Sequence, residues 1–247
     1  MHIVLPPSET KRDGGNSLPV DVASLAFPKL APMRRRLLTA VVALSKDETA
    51  SLRALKLGPK GAPEVARNRA VKKAPTMPAL DRYTGVLYDA LDASTLSDAE
   101  RERANERVLI HSALFGLISA DDLIPAYRLS HDSRLPEMSL KSLWSGPNAK
   151  VLAHIPGLIV DARSEGYVEL GPTSSNAHSV FLRVVTRGDT GAVRALNHFN
   201  KKAKGEFTRA LLSVESVPET TDELIDVARA LGWQMEPGEP GEINLFV

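Results

Sequence analysis

A chain of 247 residues with 43% apolar and 25% charged side chains has the balance of a globular protein, which excludes a disordered or collagen-like one. It carries 31 Lys and Arg against 30 Asp and Glu, and its lack of cysteine excludes disulfides, thiolate catalysis, iron–sulfur clusters and zinc ribbons. No apolar run nears the ~18–20 residues of a membrane span, and the opening Met1-His2-Ile3-Val4-Leu5-Pro6-Pro7 lacks the basic and long apolar regions of a secretory leader. The expectation is a soluble, cytoplasmic protein with no membrane partner.

The chain opens on a short β-branched strand, His2–Leu5, closed by Pro6-Pro7. Apolar residues at helical spacing predict a helix over Met33–Leu44, and Ser45-Lys46-Asp47-Glu48 reads as a capping box for another running to Leu55. Residues 56–80, rich in Lys, Pro, Gly and Ala, read as a basic irregular excursion with a short helix near Glu64–Val71. Helices are expected over Leu80–Leu91 and, from the capping box Ser97-Asp98-Ala99-Glu100, as far as Phe115. The second half alternates. A helix is expected over Ser139–Ala153, then a buried strand at Leu158–Ala162. Tyr167–Leu170 reads as a short strand or turn, and Val180–Thr186 as a strand. Helices follow over Asn197–Leu212 and after the Thr220 cap, ending at Gly232, and final strands at Trp233–Glu236 and Ile243–Val247. With no regular strand–helix–strand repeat, the fold class is α+β, a single domain over 1–247 with a mixed sheet, surrounding helices and an acidic tail over 236–247.

The near-neutral total hides an uneven distribution. Residues 1–80 hold 14 basic against 6 acidic side chains, net +8, while 211–247 hold 1 against 8, net −7. Such asymmetry permits a basic face for a polyanion.

Four segments can carry chemistry. In the loop Pro7–Gly15 after the first strand, Ser8 and Thr10 can donate to an anion, Lys11 and Arg12 supply charge, and Gly14-Gly15 let backbone N–H groups approach. The spacing is not that of a Walker A loop. In the helix after Asn197, Phe199, Ala203, Phe207, Ala210 and Leu211 form one stripe, with Lys201, Lys202, Lys204 and Arg209 fanned over the opposite side. Gly205 inside that helix is compatible with close approach of another backbone or of a ligand. In Asp121–Leu129, Asp121 is expected as a helix N-cap, and Tyr127-Arg128 follows Pro125 in extended chain, where the guanidinium can meet phosphate or carboxylate. At the end of the strand 158–162, Asp161, Ser164 and Tyr167 can project into one cleft beside Arg163. His154-Ile155-Pro156-Gly157-Leu158 looks like the hairpin of a helix-hairpin-helix motif, but a strand follows where a second helix should. The six histidines form no HxxxH or HxH pair, so no metal site and no cofactor can be read from spacing.

In order and spacing, Pro7–Lys11, Arg82–Tyr88, Ser112–Ile118, Asp122–Leu129, Leu143-Trp144, Asp161–Tyr167 and His198–Gly205 resemble the YaaA family of peroxide-stress proteins. The resemblance implies a positively charged cleft in the family's own α/β-type fold. It also implies a role in the response to hydrogen peroxide that lowers free intracellular iron, and binding to DNA. Enterobacterial members carry Ser-Pro-Ala-Lys-Thr where this chain has Pro-Ser-Glu-Thr-Lys, which moves the lysine. Lysines expected after the Asp161–Tyr167 motif are replaced by Gly171-Pro172-Thr173-Ser174-Ser175-Asn176.

The first expectation is therefore a peroxide-stress protein that binds duplex DNA independently of sequence. Its phosphate contacts would be Ser8, Lys11, Arg12, Arg128, Arg163, Ser164, Lys201, Lys202, Lys204 and Arg209. The alternative is an enzyme on a small anionic ligand in a Lys/Arg/Tyr/Asp-lined pocket, with Lys11, Tyr83, Asp161 and Lys201 as catalytic candidates. A tight pocket gathering these residues is what distinguishes the second from the first. Direct iron sequestration ranks third, for want of paired ligands.

Overall fold

The computed structural model describes residues 1–173, 178–187, 193–195 and 200–247. The first strand, β1 (His2–Leu5), lies inside the sheet and not at its edge. Ile3, Val4 and Leu5 are all buried, as expected of a parallel strand covered on both faces. On one side it pairs in parallel with β3 (Val108–Ser112) and on the other with β6 (Ile159–Asp161), with His2 opposite Ile159 and Leu5 opposite Ile110. Beyond β6 come β7 (Ser179–Arg187) and β10 (Glu242–Phe246), again parallel, then β9 (Gln234–Pro237), antiparallel. On the other flank β4 (Gly116–Ser119) pairs antiparallel with β3, and β8 (Val193–Ala195) pairs antiparallel with the end of β7. The spatial order is β4-β3-β1-β6-β7-β10-β9, a mixed sheet as expected.

Helices cover this sheet: α1 (Ala31–Leu44), α2 (Glu48–Ala54), α3 (Ala62–Ala70), α4 (Ala79–Arg82), α5 (Val86–Leu91), α6 (Asp98–Arg107), α7 (Leu140–Leu152), the single turn α8 (Glu165–Val168), α9 (Asn200–Leu212) and α10 (Thr221–Ala230). A two-residue strand, β2 (Met77–Pro78), pairs with β5 (Leu123–Ile124). No helix among the described residues is long and apolar enough to cross a membrane.

Several boundaries differ from the sequence expectations. The helix expected to run from Ser97 to Phe115 stops at Arg107. Its capping box is present, Ser97 N donating to Glu100 Oε2 at 2.8 Å, but Val108–Ser112 is a strand. All five of those residues are buried. A short apolar run looks the same whether it is a buried helix end or a central strand. The helix expected over Leu80–Leu91 is two helices, broken at Tyr83–Gly85, where Gly85 adopts φ +97°. The cap of α2 is Asp47, whose carboxylate accepts from Ala50 N at 2.9 Å, and not Ser45. Of the strand or turn expected at Tyr167–Leu170, the structure has the turn, with Tyr167 in the helical turn α8.

The basic excursion contains α3 and β2. Asn68 of α3 is buried and holds the Arg128 peptide from both sides, at 2.7 and 2.8 Å. The segment expected as an acidic tail contributes β10 to the sheet; Glu242 pairs with Arg183, and Glu236 with Arg187 at 2.9 Å.

Candidate functional site

Going along the chain, β1 leads to β3 on one side of itself, and β6 then returns on the other side. The connections diverge at the carboxyl ends of β1 and β6, the topological switch where open α/β sheets form ligand crevices. A cavity of 510 Å³ opens at that point. Its walls are the loop after β1 (Pro6–Thr10), the segment after β6 (Ala162, Ser164, Tyr167), the turn into α5 (Thr84–Tyr88), Ser130 and His131, and the first turns of α9 (Asn200, Lys201, Lys204).

Two glycines allow this assembly. A Cβ on Gly205 would lie 2.1 Å from Leu87 O, so α9 can cross α5 only because position 205 has no side chain. The close approach expected there is thus to a backbone. A Cβ on Gly166 would sit 2.4 Å from the His131 ring, which packs edge-on against Tyr167 with centroids 5.0 Å apart.

The loop after β1 is internally braced. Thr10 Oγ1 donates to Thr84 O at 3.2 Å, so the 3.1 Å contact between the two hydroxyls has Ser8 donating to Thr10. The Ser8 proton is thus committed within the loop and the Thr10 proton to the turn into α5, so in this arrangement neither points to an anion. Gly15 serves packing instead of anion approach: it has φ +132°, and a Cβ there would meet Thr76 O at 2.4 Å.

Lys11 turns inward. It is 7% exposed, and its Nζ donates to Ser8 O at 2.8 Å and Glu9 O at 3.3 Å, 4.1 Å from the centroid of the Tyr127 ring. Burial, reinforced by the Arg128 guanidinium, pushes its amine down to about 7. Behind it runs a hydroxyl chain. Ser112 Oγ accepts from Leu114 N and Phe115 N, so its proton goes to Tyr127 at 2.7 Å, and that of Tyr127 goes to Tyr83 at 2.8 Å. Desolvation raises the Tyr83 and Tyr127 phenols well above their ordinary range, so both stay protonated.

Lys204 was expected on the outward face of α9, but it is 4% exposed. Its Nζ donates to Arg163 O at 3.3 Å and stands 5.3 Å from the Phe181 ring centroid. Burial lowers it to about 8, against the opposing pull of the Asp161 carboxylate. Asp161 itself does not face the cavity. It is 1% exposed and grips Arg163 through two oxygens, at 2.8 and 2.6 Å. Arg163, fully buried, also donates to Gly171 O at 2.8 Å and meets His111 Nδ1 at 2.7 Å.

The sequence candidates therefore separate. Ser8, Ser164, Lys201 and Lys204 line the crevice. Lys11 and Tyr83 lie behind its wall, and Arg128, which forms an ion pair with Glu9, stands beside it. Arg12 is exposed on the same loop, outside the crevice lining. Lys202 pairs with Glu206 on the outer face of α9 at 3.4 Å, and Arg209 caps α5 by donating to Leu91 O and Asp92 O at 2.9 and 2.8 Å. Asp121 caps no helix. Asp122 holds Ala26 N at 2.9 Å and Ser119 N at 3.0 Å. His198 and Phe199 lie outside the described residues. Sequence reasoning missed Ser130, His131 and Tyr88; a lone histidine with no second ligand at short spacing carries no local signal. No group of three His, Asp or Glu is placed to hold a metal among the described residues.

Fold and site together define an open mixed α/β protein with an amine-lined crevice at its switch point. A family model described as "Peroxide stress protein YaaA" matches residues 1–239, and the chain belongs to that family. It is 42% identical over 254 residues to a UPF0246 protein of Corynebacterium glutamicum, covering all of both chains. A second relative, a UPF0246 protein of Corynebacterium efficiens, is 41% identical over 97% of this chain and 96% of its own. A third, from Streptomyces coelicolor, is 36% identical over 98% of this chain and 94% of its own. Membership supports a role in peroxide stress.

Proposed function

We propose that the protein serves the peroxide-stress response by binding a small anionic ligand in the switch-point crevice. The observation that carries this reading is the pair of buried amines on either side of it: Lys204 in the wall and Lys11 behind the Ser8–Thr10 loop, both desolvated. A buried cation without a carboxylate gripping it attracts an anion strongly. Lys201 at the mouth and the ring of His131 complete the lining. An amine near neutrality can also exchange a proton with its ligand, so the site is suited to acid–base chemistry, with Lys204 the leading candidate.

The test is calorimetric titration with inorganic phosphate and with small di- and tricarboxylates, comparing wild type with Lys204→Met and Lys201→Ala. Binding of one of these anions that weakens at least about tenfold in Lys204→Met, a loss of about 1.4 kcal/mol, supports the site. Unchanged affinity, or no binding of any member, overturns it. In cells, Lys204→Met should fail to restore the peroxide survival that wild type restores.

Duplex DNA is a second reading, favoured by the net +8 of residues 1–80. Of the ten expected phosphate contacts, Lys11, Arg163 and Lys204 are buried, and Arg209 is committed to α5. The contacts that remain for a duplex would be Ser8, Arg12, Ser164 and Lys201, with Arg128 and Lys202 drawn from their pairs with Glu9 and Glu206, joined by exposed Arg35, Arg36, Lys72 and Lys73 on α1 and beyond α3. Affinity that falls steeply with salt and drops in Arg35→Ala/Arg36→Ala supports this reading, and flat salt dependence refutes it.

A further inference from the structure

At the other end of β1, away from the crevice, lies a second cavity of 730 Å³. It sits between the start of α1 and the second half of α7, over Leu109 of β3. Its surface is mostly apolar: Phe27, Met33, Val151 and Ile155 form the walls. Gly146 and Pro147 face it from α7, and a Cβ on Gly146 would meet nothing within 4 Å, so the helix leaves the space open. Phe27 holds a left-handed backbone, φ +58° and ψ +65°, a conformation that bulky residues rarely adopt and that recurs at ligand clamps.

The rim has one sign of charge. Lys29 and Lys150 are exposed, one just before α1 and the other on α7, His2 and His154 also line the cavity, and among the described residues no Asp or Glu does. The histidines are oriented alike. His2 Nδ1 meets Pro156 O at 3.2 Å and His154 Nδ1 meets Lys150 O at 2.6 Å. A carbonyl only accepts, so each Nδ1 carries the proton and each Nε2 is left for another partner.

We propose that this cavity binds a long-chain carboxylate, an acyl chain with an anionic head. The chain would lie over Leu109 between Met33 and Val151, and the carboxylate would be met at the rim by Lys29 and Lys150. An apolar pocket with a few convergent polar groups is the usual form of a small-molecule site. A purely polar anion would leave the apolar walls unused, and a cationic amphiphile would meet the ammonium groups of Lys29 and Lys150.

The experiment is calorimetric titration of the full chain with dodecanoate and with dodecyltrimethylammonium, both below their micellar concentrations. The variants are Lys29→Glu/Lys150→Glu, two exposed positions, and Val151→Trp, which fills the cavity; circular dichroism checks that each is folded. The proposal expects one dodecanoate per chain, at least about tenfold weaker binding in each variant, and at least about tenfold weaker binding of the cationic amphiphile. It also expects Lys204→Met to bind dodecanoate as wild type does, which separates this cavity from the crevice. Absence of dodecanoate binding, equal affinity for both amphiphiles, many molecules bound per chain, or wild-type affinity in the charge-reversed variant would overturn it.

Discussion

Replacing Lys11 by Met should alter the pH dependence of stability in a specific way. The amine is 7% exposed and is pushed down to about 7 from its ordinary 10.5, chiefly by desolvation. Between those values the unfolded chain holds a proton that the folded chain has released. Wild-type stability therefore rises with pH across this window, and below about pH 7 the cost of burying the charged form is fully present. The gap from about 7 to 10.5 corresponds to about 5 kcal/mol in all, of which about 3 kcal/mol falls between about pH 6 and about pH 9. Methionine fills similar space without a titrating group, and every other group titrates in both proteins, so the difference between them isolates Lys11. Urea unfolding of both at about pH 6 and about pH 9 measures it. The wild-type minus variant difference should move by about 3 kcal/mol toward wild type at the higher pH. A difference that is the same at both pH values would show that Lys11 is not desolvated, and with it would go half the basis for the crevice as an anion site.

Three further expectations follow from packing and pairing. Gly205→Ala places a Cβ 2.1 Å from Leu87 O, so despite the better helix propensity of Ala it should lower stability by about 1–3 kcal/mol; an unchanged or raised melting temperature would refute the tight α5–α9 crossing. Asp161→Asn leaves Arg163 buried without its carboxylate and should cost about 3–5 kcal/mol in denaturant unfolding, part of it recovered in Asp161→Asn/Arg163→Met; no recovery in the double variant would count against the pair as the cause. Tyr127→Phe removes the middle of the chain from Ser112 to Tyr83 and should cost about 1–3 kcal/mol, with Ser112→Ala/Tyr127→Phe costing less than the sum of its parts; additive costs would mean the hydroxyls act independently.

Local pattern made much of the architecture legible. Periodicity located α1 and α9, cap signals located α10, the helix expected over 139–153 is α7, and the runs read as strands at 2–5 and 158–162 hold β1 and β6. The failures occurred where tertiary context decides. Val108–Ser112 is apolar enough for either structure, and only its place between β1 and β4 makes it a strand. The two-residue pairing of β2 with β5 is too short to leave a pattern. At the site, sequence brought forward Ser8, Ser164, Lys201 and Lys204 because charged and hydroxyl residues cluster around glycine. For two lysines, Lys204 and Lys11, it did not show that the side chain is buried. Lys204 was placed on the polar face of α9, yet that face packs against Phe181 and the Arg163 peptide. Lys11, expected to supply charge to an anion, is held inward by carbonyls of its own loop. A helical wheel cannot register the strands β6 and β7, whose ends turn part of a polar face into an interior one.

The pairing of His2 with Ile159 also bears on how the protein is made. The strand that forms the middle of the sheet is made before either of its neighbours, which lie more than a hundred residues downstream. At ~5–20 residues per second of synthesis, roughly 8–30 s pass before β6 exists to join it. Through that interval Ile3, Val4 and Leu5 have no partner strand on the β6 side. Parallel pairing across such a separation is also slow to close once both strands are present. Fragments ending before residue 159 therefore retain an open apolar edge at β1 and should accumulate as aggregates, while the full chain can bury it.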